Sequence, residues 1–147
     1  MGVLADEQIK EIAEDLQSDM LVFWNPATGE LLTVPDESKF GVVDEELWTE
    51  QLEKLENNPL DYKRFEAMQP KEAFQVMADF IDTLAEKHPL KRQLKDALGK
   101  PKPFAKFKWI IEGAGREKQE WFTFRKLQWI DYVTKCYHSI IEQEAGQ

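Results

Sequence analysis

The chain has 147 residues, a length that favours one domain, 1–147, able to bury a core without a metal or disulfide staple. Hydrophobic residues make up 42%, with five Trp, nine Phe and three Tyr, which excludes disorder over the whole chain. The formal charge of -9 argues against a protein that coats DNA through bulk positive charge, while leaving a local basic patch open. Cys136 is the one cysteine, so an intramolecular disulfide and a zinc site built on paired cysteines are both excluded. The start, Met1-Gly2-Val3-Leu4-Ala5-Asp6, lacks the charged and apolar regions of a signal peptide, and Asp6 stands where acylation of Gly2 wants Ser or Thr. The longest apolar run, Met20 to Trp24, is far below the ~20 residues that cross a bilayer. These features predict a cytoplasmic protein with no membrane partner.

In chain order, Ile9, Ile12, Ala13 and Leu16 form one helical stripe, with Asp6 as the expected N-cap. Met20–Trp24 and Leu31–Val34 read as the two strands of a hairpin, joined by the turn chemistry of Asn25-Pro26-Ala27-Thr28-Gly29-Glu30. Residues 36–43 read as an irregular loop. Asp44 then caps a second helix whose apolar face is Leu47, Trp48, Leu52 and Leu55, stopped by Asn57-Asn58-Pro59. Tyr62–Met68 is an expected third strand. Pro70 starts a third helix bearing Phe74, Met77, Phe80, Ile81 and Leu84, and His88-Pro89 breaks it. Two shorter helices carry Leu90, Leu94, Ala97 and Leu98, then Phe104, Phe107, Ile110 and Ile111. They end at Gly99 and at Gly113-Ala114-Gly115. A long last helix places Phe122, Trp129, Val133, Cys136 and Ile140 on one stripe. The fold class is α+β: a small antiparallel sheet formed mainly from the N-terminal half, packed with five to six helices.

Three stretches carry a family resemblance. They are the Asn25–Glu30 turn, the run from Tyr62 through Met77 to Ile81, and Ala97-Leu98-Gly99-Lys100-Pro101-Lys102-Pro103-Phe104-Ala105-Lys106-Phe107-Lys108 followed by Arg116, Trp121-Phe122 and Phe124-Arg125. With these the chain resembles the bacterial uncharacterised protein family 0158. An additional Lys102-Pro103 pairing departs from the family's loop. The resemblance implies a shared α+β fold; it transfers no activity and no catalytic residue.

The residues offer no signature of nucleophilic, metal or phosphate-loop chemistry, so no catalytic residue, cofactor or metal ligand is assigned. His88 and His138 lie in unrelated elements, and a hydrogen-bonded or solvated role is expected of each. Cys136 reads as a buried, inert thiol. Asp44-Glu45-Glu46 with Glu50 and Glu53 lacks the spacing and glycine of an EF-hand loop and reads as a solvated acidic face.

The charge distribution is the informative feature. Residues 1–60 hold fifteen Asp and Glu against three Lys, whereas Lys87–Lys126 holds twelve Lys and Arg against four acids, interleaved with six aromatic residues. Two arrangements account for this. In one, the strip is covered by the acidic N-terminal half, within the domain or across a dimer, and Phe104, Phe107 and Phe122 are buried at core spacing. In the other, the strip is a partner surface made of Lys100, Lys102, Lys106, Lys108, Trp109, Arg116 and Arg125. Trp109 falls off the stripe of Phe104, Phe107 and Ile110, on the side of Lys102 and Lys106, so its exposure separates the two. The expected function is that of a binding or adaptor domain, non-enzymatic, engaging a protein or a second copy of itself. RNA or single-stranded DNA is the alternative ligand of the same strip, and an enzyme of unrecognised type comes third.

Overall fold

The turn Asn25–Glu30 organises the sheet. Asn25 accepts hydrogen bonds from the backbone N–H groups of Ala27 and Thr28 through its side-chain oxygen, and Gly29 takes a positive φ of 82° that a side chain would resist. The strands β1 (Met20–Trp24) and β2 (Leu31–Pro35) therefore pair antiparallel with Trp24 opposite Leu31 and Met20 opposite Pro35. A third strand, β3 (Lys63–Phe65), pairs with the other edge of β1, giving the order β2-β1-β3. The expected strand over residues 62–68 is thus only three residues long.

The computed structural model describes residues 3–41 and 43–146; Gly2, on which the acylation reading turns, and Val42 of the expected loop lie outside them. The chain forms two compact units, one of Met1–Ala67 with Trp129–Gln147 and one of Met68–Gln128. The architecture is α+β, with seven α-helices among the described residues against the five to six expected. The additional one is a single turn, α2 (Glu37–Phe40), within the expected loop, capped by Asp36 through Ser38.

In the first unit, α1 (Asp6–Gln17) buries Ile9, Ile12, Ala13 and Leu16, the expected stripe. Its N-cap is Ala5 rather than Asp6; Gln8 accepts the Ala5 N–H, while Asp6 and Glu7 occupy the first turn, where the helix dipole favours them. Val22 and Trp24 alternate inward on β1, Leu32 and Val34 do so on β2, and the Tyr137 ring stands edge-on to Trp24 at 5.3 Å. The Tyr137 hydroxyl accepts the Leu4 N–H at 3.1 Å, which ties down the segment before α1.

The helix expected from Asp44 is split. Asp44 does cap it, but residues Glu45–Trp48 form a 3₁₀ turn before α3 (Thr49–Asn57). Three residues per turn in place of 3.6 rotate Leu47 off the apolar stripe. It is 72% exposed, a correction to its reading as a core residue. Lys54 of α3 pairs with Glu30 at 2.8 Å, and Tyr62 donates to the other oxygen of the same carboxylate, so one hairpin residue fastens two later segments.

The second unit contains α4 (Pro70–Asp82), α5 (Pro89–Leu98), α6 (Pro103–Glu112) and the first part of α7 (Arg116–Ala145). A proline opens α4, α5 and α6, at the position where its missing N–H costs nothing. Phe80, Leu94, Phe107, Ile111 and Trp121 form the core, with Trp121 edge-on to Phe107 at 4.8 Å and to Phe80 at 5.2 Å. Lys91 is buried, and its ammonium donates to the Leu84 carbonyl at 3.1 Å and to Glu86 at 2.7 Å, closing the end of α4. Among the described residues no helix is long and apolar enough to cross a membrane.

The hydrogen bonds from Lys54 and Tyr62 hold the Glu30 carboxyl below its ordinary value. A folded-state value below the unfolded one means stabilisation that is present above the ordinary glutamate range and lost as pH falls through the depressed value. Glu30→Gln should therefore melt below wild type at neutral pH. The gap should close as the solution is acidified into and below the carboxylate range, followed by thermal denaturation. A gap independent of pH would show that the carboxylate's charge is not the source.

Candidate functional site

The site is built by the pairing of α5 with α6 through the four-residue connection Gly99-Lys100-Pro101-Lys102. On α6, Phe107 and Ile111 are one turn apart and both buried in the second unit's core. Trp109 follows Phe107 by two residues, about 200° around the helix axis, and is accordingly 80% exposed. Trp121 is instead the buried tryptophan of this unit.

Beside Trp109 runs an open groove of about 540 Å³, lined by Gln93, Asp96 and Ala97 of α5, Lys100 of the connection, and Lys106, Trp109 and Ile110 of α6. Its floor is apolar, from Ala97, Ile110 and the indole. Its rim carries two ammonium groups, one carboxylate and one amide. The side chains on α5 and the connection follow a helical period, 93, 96, 97 and 100, and those on α6 follow another, 106, 109 and 110. These two stripes were the signal by which sequence reading would have found Gln93 and Asp96, which it missed.

The connection is held tightly. Lys102 adopts the left-handed conformation, φ 55° and ψ 55°, as the N-cap of α6, an unusual state for a residue with a side chain. Pro103 follows at the first helical position. The Lys106 ammonium donates to the Pro101 carbonyl, spanning the connection and setting that charge at the groove's rim.

Of the seven residues singled out from sequence, the groove brings together Lys100, Lys106 and Trp109. Lys102 and Lys108 are exposed beside it, at the cap and on α6. Arg116 and Arg125 lie on α7 and do not line it. Arg116 is ion-paired with Glu120 at 3.3 Å, and Arg125 is half-buried, with burial alone pulling its pKa down. Among the described residues Lys100, Lys102, Lys106 and Lys108 have no carboxylate in salt-bridge contact. The second unit as a whole carries thirteen Lys and Arg against eight Asp and Glu, a balance of +5, and the first unit carries -14.

The expected burial of the aromatic residues holds only in part. Phe107 is buried, but Phe104 is 43% and Phe122 41% exposed. Phe104 rests edge-on against Phe74 at 6.4 Å with its outer side open, and Phe122 lies under the Lys118 ammonium at 5.8 Å. Cys136 is half-buried. His88 is hydrogen-bonded, with Nδ1 accepting the Leu90 N–H at 3.1 Å and Nε2 meeting Glu117 at 3.0 Å. No cluster of three or more His, Cys, Asp or Glu able to hold a metal ion occurs among the described residues.

The exposed and the buried tryptophan of this unit give a direct check. Trp109→Ala should remove the largest share of iodide-quenchable tryptophan emission while changing stability by no more than about 0.5 kcal/mol. Trp121→Ala should destabilise by about 3–5 kcal/mol. Unchanged quenching in Trp109→Ala would place its ring inside the protein.

Compared with known proteins, the chain matches the model of the Uncharacterised protein family (UPF0158) over residues 23–136. The match covers most of the chain, and the chain belongs to that family. No curated protein and no solved structure matches it.

Proposed function

We propose that this UPF0158 member is a cytoplasmic, non-enzymatic binding or adaptor domain that engages an acidic partner through the basic-aromatic surface of residues 100–126, with Trp109 as its anchor. The observation that carries this reading is the 80% exposure of Trp109 at a groove whose lysines make no salt bridge among the described residues. An indole held open to water on a rigid helix is a costly surface feature, and tryptophan is over-represented among the residues that dominate binding energy. The groove's apolar floor takes an apolar side chain, and the ammonium groups of Lys100 and Lys106 take the carboxylates that flank it. The surrounding charge of +5 on this unit favours approach of an acidic segment.

Single-stranded nucleic acid is the second reading, favoured by the same exposed ring, which offers a stacking platform beside cations. Two features weigh against it. The chain's net charge of -9 repels a polyanion at long range, and Asp96 places a carboxylate within the groove. A partner whose acids are separated by apolar residues suffers less from both than an unbroken run of phosphates.

The test is fluorescence anisotropy across a salt series with two probes: a labelled peptide bearing a leucine flanked by glutamates, and a labelled mixed-sequence single-stranded RNA. We expect the peptide to bind and to weaken with salt. Trp109→Ala should reduce its affinity roughly 30-fold, the loss of about 2 kcal/mol that marks a hot spot. Lys102→Glu combined with Lys106→Glu should abolish capture while lowering stability by no more than about 0.5–1.5 kcal/mol, the share of the lost Lys106–Pro101 hydrogen bond. Preferential RNA binding with a steep salt slope would transfer the surface to the nucleic-acid reading. Absence of binding by either probe at low salt would overturn both.

A further inference from the structure

We infer that the groove's partner is a second copy of this chain, which inserts the acidic 3₁₀ turn bearing Leu47. The inference rests on the binding reading above and specifies its ligand. Residues 36–61 hold nine Asp and Glu against two Lys, yet among them Phe40, Leu47 and Leu60 are all exposed. Leu47 is the best placed of the three. It projects from the turn Glu45–Trp48, which Asp44 caps and which Thr49 braces by donating to the carbonyls of Glu45 and Glu46. Its apolar side chain is thus presented on a formed turn, so that binding has little chain left to order.

The chemistry on the two surfaces is reciprocal. The groove offers an apolar floor, the Trp109 indole and the lysines at 100 and 106. The turn offers one exposed leucine directly preceded by Asp44, Glu45 and Glu46. None of those three acids is ion-paired among the described residues, and neither are the lysines. Both surfaces therefore carry charge of opposite sign that is not tied up in salt bridges among the described residues. Docking buries Leu47 against Ala97, Ile110 and Trp109 while the carboxylates reach the groove's ammonium groups. Asp96 opposes a dense polyanion but leaves room for one leucine that follows three acids. The two surfaces are different patches of one sequence, so the contact is heterologous. It closes into a ring if the rotation permits and extends head to tail if it does not.

Sedimentation velocity of the full chain tests this. At low salt, species heavier than the 17.2 kDa monomer should appear and grow with protein concentration, and high salt should return them to monomer. Leu47→Ser and Trp109→Ala should each lose the heavy species while melting as wild type does. The decisive arm uses two charge reversals. Lys102→Glu with Lys106→Glu should be monomeric, and so should Glu45→Lys with Glu46→Lys. Mixing the two proteins should restore association, because each then supplies the surface complementary to the other. A monomer at every concentration in low salt overturns the inference, as does association that the reversals leave untouched or that mixing fails to restore. If the chain is monomeric while the glutamate-flanked leucine peptide still binds at Trp109, this inference falls and the binding reading stands. If the peptide also fails, both fall.

Discussion

The rotation of α6 about its own axis is the constraint from which the rest of the candidate site follows. Phe107 and Ile111 are committed to the core beside Phe80 and Trp121, and a helix with two successive inward positions has no freedom left to turn. Everything on the opposite side is then decided. Trp109 must face water, Lys108 stands next to it, and Lys106 sits at the flank within reach of the Pro101 carbonyl. The left-handed Lys102 and the proline after it set where the helix begins, and hence the height at which Trp109 meets the α5 wall. The proposed binding surface is a by-product of core packing in position, though not in composition, because nothing in the core asks for an indole at 109.

The two units separate charge sharply, and the separation has a physical cost. A region at -14 repels itself, which weakens its fold unless pairs such as Lys54–Glu30 and Lys63–Glu144, at 2.8 and 3.0 Å, offset part of it. The clamp on Glu30 is therefore more than a local hydrogen bond. It places a cation and a phenol donor at a carboxylate that heads the returning strand. The effect is felt by all three groups: Glu30 is held below its ordinary value, while Lys54 and Tyr62 are raised by their bonds to it.

Much of the fold was legible in the sequence because two periods, 3.6 and 2, write themselves into apolar spacing. The stripe of α1, the hairpin turn and Pro70 at the start of α4 all follow from local chemistry, while Pro89, read as a break, and Pro103, read within a loop, turn out to open α5 and α6. What escaped was set by geometry that spacing does not encode. A 3₁₀ start moved Leu47 outward, since four residues at a tighter pitch shift every later angle. Phe104 and Phe122 lie at core intervals, yet the available interior is filled by Phe107 and Trp121, so their rings stay partly outside. Lys91 reads as a surface residue, but its stem is long enough to cross the core's edge and meet the Leu84 carbonyl. The basic-aromatic strip was visible as composition. That only three of its seven named residues share the groove was not, because the groove is set by how α5 and α6 pair, which spacing within either helix does not encode.

His88 shows how one residue limits its own chemistry. Its Nδ1 lone pair is occupied by the Leu90 N–H at the start of α5, so the ring's proton belongs on Nε2, facing Glu117 at the start of α7. The imidazole is thereby fixed in one tautomer and bridges the first turns of two helices. Glu117 answers with a carboxyl held low, first by its own backbone N–H and then by the histidine. To shuttle a proton or to offer a lone pair to an electrophile, the ring would have to release the helix start that it caps. The hydrogen-bonded role expected of this histidine is, in the fold, that of a structural tie with both nitrogens engaged.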